Sequence, residues 1–312
     1  MMKDIIPEVA TELIEKELTK ERFIRYTNFG NNELYIVNSH NSPNIMREIG
    51  RLRELTFRVA GGGTGNETDI DQYDTMENPY QQLIVWDPEF RKILGGYRFH
   101  VCKTQKGLDF NLATSRLFSF SDDFKENYLP YMIELGRSFV QPDFQSTANN
   151  RKGLFALDNL WDGLGALIVL YPEIKYFFGK VTMYTDYEIN ARNLLLYFLK
   201  KHFRDTENLV FPNEPLQTEV ELKKIAPLFT GADYKEDYKI LNKNIRELGE
   251  NIPPLINAYM NLSPSMKFFG TVLNPYFGNV EESAIMVTID DVYANKKERH
   301  VDSYHIQNKK QG

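Results

Sequence analysis

Residues 131–140 read YMIELGRSFV, and the reading of this stretch decides the fold. Its aromatic and aliphatic residues mark a strand, yet Glu134 and Arg137 interrupt it. A charge inside an apolar strand costs free energy unless an opposite charge meets it, so ionised side chains are expected to gather there. The same signature lies upstream. Residues 82–87 (QLIVWD) and 92–102 (KILGGYRFHVC) read as strands joined by a turn through Pro88-Glu89-Phe90-Arg91, and Arg98 interrupts the second. The acidic complement precedes them in Asp69, Asp71 and Asp74, with Arg53 earlier still.

Working outward, 33–38 predicts a strand and Asn41-Ser42-Pro43 starts a helix over 44–59, with a further helix over 7–20. Residues 60–79 are glycine-rich and then acidic, a flexible loop. Downstream, helical spacing covers 153–170 and 189–203 with a strand at 180–186 between them. Further helices are expected near 217–227, over 237–248 and after Pro253-Pro254, and strands near 269–273 and over 283–289. This order predicts an α/β chain with a mixed central sheet flanked by helices. The expected organisation is an N-terminal helical extension (1–30), one domain over 31–300 with a helical insertion at 204–250, and a flexible tail at 301–312.

Bulk properties narrow the function. The net charge of −6 argues against nucleic acid as the main partner, because phosphate neutralisation requires a basic excess. One cysteine, Cys102, excludes an intrachain disulfide framework and suits a reducing cytoplasm. The N-terminus lacks a signal-peptide core, and the longest apolar runs, such as 164–171, fall short of a spanning helix, so any membrane contact would be peripheral. The five histidines show no metal spacing, so no metal is expected. Residues 61–65 (GGGTG) are followed by Asn66-Glu67 rather than Lys-Ser/Thr, and they follow a helix rather than a strand, which argues against a nucleotide loop.

The set Arg53-x-x-x-Phe57, Asp71-Gln72-Tyr73-Asp74, Arg98 and Glu134-x-x-Arg137 resembles the acyl-homoserine lactone synthases, GNAT-fold enzymes that use acyl carrier protein thioesters. It is closer still to the ornithine-lipid and glycine-lipid N-acyltransferases, a hemolysin-labelled family. That likeness is carried also by Leu160-Trp161-Asp162-Gly163-Leu164, by Ile252-Pro253-Pro254-Leu255-Ile256 with Tyr259, and by Gly270 and Phe277. The resemblance runs from about residue 50 to about residue 290. It implies a GNAT-like fold and transfer of a (3-hydroxy) fatty acyl group from the phosphopantetheine of an acyl carrier protein to an amino acid's amine, in amino-acid lipid biosynthesis. Glycine is the leading acceptor; ornithine and a homoserine-lactone-type signal are alternatives. No permanently bound cofactor is implied. The GNAT coenzyme A loop is poorly matched by 150–155 (NRKGLF), which favours a carrier-protein donor over acyl-CoA.

Under this resemblance Glu134, Arg137, Arg98 and Asp71 form the catalytic set. Glu134 is the candidate base, and Arg98 or Arg137 the fork for the acceptor's carboxylate. Arg53, Phe57, Asp74, Ser138, Val140 and Trp161 are the substrate-binding set, with oxyanion donors sought in a bulged strand around residues 138–140. Arg151, Lys152 and Gly153 at a helix start are the candidate phosphopantetheine phosphate site. The competing classes are a non-catalytic binder of acyl chains or carrier protein and a membrane-active lytic protein.

Overall fold

The computed structural model describes residues 2–104, 111–145 and 153–304. In chain order the elements are α1 (Thr11–Glu17), β1 (Phe23–Tyr26), β2 (Glu33–Val37), α2 (Pro43–Val59), α3 (Gln72–Thr75), β3 (Gln81–Asp87) and β4 (Lys92–Val101). Next come β5 (Phe118–Phe120), β6 (Met132–Val140), α4 (Gly153–Leu170), β7 (Tyr176–Met183), α5 (Ile189–His202) and β8 (Val210–Pro212). The chain continues with α6 (Glu219–Ile225), α7 (Tyr234–Glu247), α8 (Pro254–Met260), β9 (Lys267–Asn274), β10 (Val280–Thr288) and α9 (Ala294–Lys297).

Two compact units are present. The first comprises Met1–Cys102, Ile133–Ile174 and Tyr293–Gly312; the second comprises Lys103–Met132 and Lys175–Val292. In the first unit the strands lie in the order β1-β2-β3-β4-β6, each antiparallel to the next. Strand alternation gives this sheet two different faces. Leu83, Tyr97, Phe99 and Leu135 are buried on one face, where α4 packs with Gly163 directly over Leu83. Gln82, Arg98 and Glu134 point to the other, and they too are buried.

The second unit has an antiparallel β7-β10-β9 ladder and a separate β5-β8 pair. Its core is aromatic: Phe178 packs edge-on against Phe124 and Phe269, 5.3 and 6.0 Å between ring centroids. Strand β7 begins four residues earlier than the expected 180–186, because Tyr176-Phe177-Phe178 extend its pairing with β10. The short strands β1, β5 and β8 escape a periodicity reading because three or four residues carry too little pattern.

The glycine-rich loop is tied down rather than loose. The Glu54 carboxylate, buried on α2, accepts hydrogen bonds from the Thr64 and Gly65 backbone N–H groups at 3.0 and 2.8 Å and from the Thr64 hydroxyl at 2.7 Å. Gly61, Gly63 and Gly65 adopt φ of 88°, 92° and 76°, the left-handed conformation that lets the loop wrap one carboxylate.

Helix α4 makes a second close approach within the first unit, where Gly165 lies against the His300 backbone carbonyl. A Cβ there would collide with backbone that has nowhere to go. Gly165→Ala is therefore expected to cost about 1–3 kcal/mol, measured as a lower urea midpoint. The neighbouring exposed substitution Leu170→Ala should cost much less.

Candidate active site

The charged face of the first unit is assembled from three directions. Arg98 comes from β4 and Glu134 and Arg137 from β6, while Arg53 reaches across from α2. The loop after α2 supplies Asp69, Asp71 and Asp74. Residues 71–74 fold into α3 because Asp71 is its N-cap: its carboxylate accepts from the Tyr73 N–H at 2.9 Å, while Asp74 accepts from the Asp71 N–H at 3.1 Å. This capping box aims both carboxylates at the arginines.

Asp74 is the hub. Its side chain is 0% exposed and meets Arg98 at 3.1 Å and Arg53 at 3.3 Å, with the Gln82 amide donating at 2.9 Å. Arg53 also donates to the Gln82 side-chain oxygen. Arg98 reaches outward to Asp71 at 2.7 Å, and Arg137 pairs with Asp69 at 2.7 Å and more loosely with Asp71 at 3.7 Å. Burial alone would push the Asp74 carboxyl up, but the Arg98 and Arg53 guanidiniums overcome it and hold the group well below the usual carboxylate range. Burial opposes the charge on Arg98, and Asp74 and Asp71 more than restore it. Arg53 is lowered by burial with Asp74 compensating in part, and as an arginine it stays charged.

Glu134 is buried on the same face and accepts a hydrogen bond from the Tyr80 hydroxyl at 2.5 Å. His100 lies opposite Glu134 in the β4-β6 register and stacks on the Tyr80 ring, 4.5 Å between centroids at 14°. Burial lowers the His100 pKa, opposed by Glu134, so the imidazole is neutral at pH 7. Beside Glu134, Gly136 faces open space: a Cβ there would meet nothing within 4 Å.

A bulge interrupts β6 at this point. Gly96 pairs with Phe139 and Arg98 with Gly136, so Arg137 and Ser138 together oppose the single residue Tyr97. Arg137 adopts φ 49°, an uncommon conformation for a side-chain-bearing residue. The bulge turns the Arg137 guanidinium toward Asp69 and Asp71. Ser138 and Val140, on the same stretch, are half-exposed.

Arg53, Asp71, Asp74, Arg98, Glu134 and Arg137 thus converge on one cluster. Phe57 is buried on α2, one helical turn beyond Arg53. Trp161 does not join them; it lies half-buried on α4, across the sheet from the cluster. Gly153 opens α4, whereas Arg151, Lys152 and residues 305–312 of the expected 301–312 tail lie outside the described residues; residues 301–304 are instead helical, with Tyr304 buried.

Tyr80, Gln82 and His100 were missed by the motif reading. His100 had a signal, since it lies two residues from Arg98 on β4 and shares its face; Gln82 lies on β3 and joins that face only through its pairing with Arg98. Tyr80 precedes its strand and had none.

With arginines fixing carboxylates and one carboxylate held by a phenol beside open space, the face can bind an anionic group and accept a proton. No described helix is long and apolar enough to cross a membrane, and no described group of three or more His, Cys, Asp or Glu is placed to hold a metal ion.

Residues 52–152 match the model of the acetyltransferase (GNAT) domain, a segment that contains the whole cluster. The chain is similar to a glycine N(alpha)-acyltransferase of Bacteroides thetaiotaomicron, 56% identical over 97% of this chain and 91% of the relative. A glycine N(alpha)-acyltransferase of Phocaeicola vulgatus is 52% identical over 97% of this chain and 94% of that relative. Among solved structures, FeeM, an N-acyl amino acid synthase from uncultured soil microbes, aligns over 83% of this chain and 93% of its own at 11% identity, with a TM-score of 0.41.

Proposed function

As a member of the glycine N-acyltransferase family, to which it belongs, the chain is a GNAT-type acyltransferase that acylates an amino acid, and we propose that glycine is its acceptor. The proposed donor is a (3-hydroxy) fatty acyl thioester on the phosphopantetheine of an acyl carrier protein, and the proposed setting is amino-acid lipid synthesis. The observation that carries the reading is Glu134, buried beside open space at Gly136 and flanked by the arginine–aspartate cluster.

In this reading the glycine amine attacks the thioester carbonyl carbon directly. The N–C bond forms, its nitrogen yields a proton to Glu134, and the C–S bond breaks to release the carrier's thiol. Glu134 returns the proton to the departing sulfur or to water, so the enzyme ends as it began. The backbone N–H groups of Arg137 and Ser138, taken out of register with β4 by the β6 bulge, would face the oxyanion. Arg137, 17% exposed, is better placed than fully buried Arg98 to meet the acceptor's carboxylate. Arg98, Asp71 and Asp74 then serve to hold the site's shape.

The test is direct. Purified protein is given glycine or ornithine with a 3-hydroxyacyl thioester on carrier protein or on coenzyme A, and products are read by mass spectrometry. N-acylglycine formed faster from the carrier-bound donor supports the reading. N-acylornithine as the main product, or an exclusive preference for acyl-CoA, corrects the acceptor or the donor respectively. No N-acyl product from any combination would reject it.

A further inference from the structure

We propose that Tyr80 is the positioning residue for Glu134, holding its carboxylate in one orientation by donating the phenolic hydrogen bond. The inference rests on the reading of Glu134 as the proton acceptor.

The geometry locks Tyr80 from several sides. Its backbone N–H donates to the Tyr73 carbonyl at 2.8 Å, which fixes the main chain just before β3. Its ring stacks on His100 at 4.5 Å and meets Tyr73, tilted, at 5.3 Å. The Arg98 guanidinium sits 5.3 Å from the ring centroid. A ring held this way has one direction for its hydroxyl, and Glu134 Oε2 lies in it at 2.5 Å. Tyr80 is 2% exposed, so little water competes for that bond.

The phenolic hydrogen bond satisfies one acceptor atom of the buried Glu134 side chain. Other described groups also face Glu134. Arg98 and His100 share its face on β4, Cys102 follows β4, Tyr73 approaches from α3, and Arg137 lies on its own strand. Burial keeps the Cys102 thiol protonated, and it lowers His100, so neither supplies a compensating charge at pH 7. Tyr80 is a neutral donor held in place to orient Glu134.

Tyr80→Phe removes the hydroxyl and keeps the ring stack. The expected result is a fall in kcat of about 10-fold at neutral pH with the acceptor KM little changed. In a Glu134→Gln background the same change should cost almost nothing further, because there is no carboxylate left to orient. If the phenylalanine variant fails to fold, 4-fluorophenylalanine at position 80 fills the space of the hydroxyl without donating, and kcat should fall by the same factor. A wild-type kcat in either variant, or an equal loss with and without Glu134, overturns the proposal while leaving the acyl-transfer reading intact. A wild-type enzyme that forms no N-acyl product rejects that reading itself, and this inference with it.

Discussion

Glu134→Gln is expected to lower kcat by about 10²–10⁴-fold, the range spanned by general acid–base catalysis. Glutamine keeps the shape, and its carbonyl oxygen can still accept from Tyr80, so the fold should survive unchanged. What disappears is the proton acceptor. The acceptor amine is mostly protonated at neutral pH, and the nitrogen that attacks must shed a proton as the bond to the acyl carbon forms. A group on the face of β6 beside open space is the one the geometry offers for that proton. The deficit should narrow as pH rises, because more of the acceptor is then neutral and hydroxide can assist. Steady-state rates across pH, with the urea midpoint as a control for folding, check both parts. Wild-type turnover at neutral pH in the glutamine variant would remove Glu134 from the role of base.

The second large effect concerns stability. Asp74→Asn should destabilise the protein by about 3–5 kcal/mol, the usual cost of breaking a buried ion pair from one side. Asp74 is completely buried and is shared by Arg98 and Arg53, so the change leaves two buried cations short of charge. Arg98 keeps Asp71, but Arg53 has Asp74 as its close carboxylate. The pH dependence has a definite sign. Because the folded-state pKa of Asp74 is depressed, its contribution is fully present above the unfolded aspartate value near 3.9 and is lost as pH falls toward the lower folded value. Wild-type stability should therefore fall on acidification below about pH 4, and the asparagine variant should show a flatter curve there. Urea denaturation at pH 7 and through the acid range measures both. Equal midpoints at pH 7 would mean that the cluster is not held together through Asp74.

Much of this was legible in the chain itself. Charged residues at Arg98, Glu134 and Arg137 inside apolar strands demanded partners, and the acidic run at 69–74 was the nearby supply. Pairing those two facts predicted the cluster before any coordinate, since burying an unpaired charge is too costly for either set to stand alone. The order of the longer strands and helices followed from periodicity, which a long amphipathic helix such as α2 and an apolar strand such as β6 display plainly.

Other features belonged to the tertiary structure alone, because they depend on which strand lies beside which and on single-residue register. Alternation along β4 placed Arg98 and His100 on one face, but only the pairing His100↔Glu134 put the imidazole beside the carboxylate. The bulge at Arg137 and Ser138 arises from a one-residue mismatch between β4 and β6, and no local propensity announces it. Tyr80 reaches Glu134 across 54 positions of sequence, a contact that exists only once β3, β4 and β6 are side by side. Composition and periodicity determined that charges must meet on a sheet; long-range pairing decided which atoms face each other, because hydrogen-bond register is fixed by the whole ladder and not by any one strand.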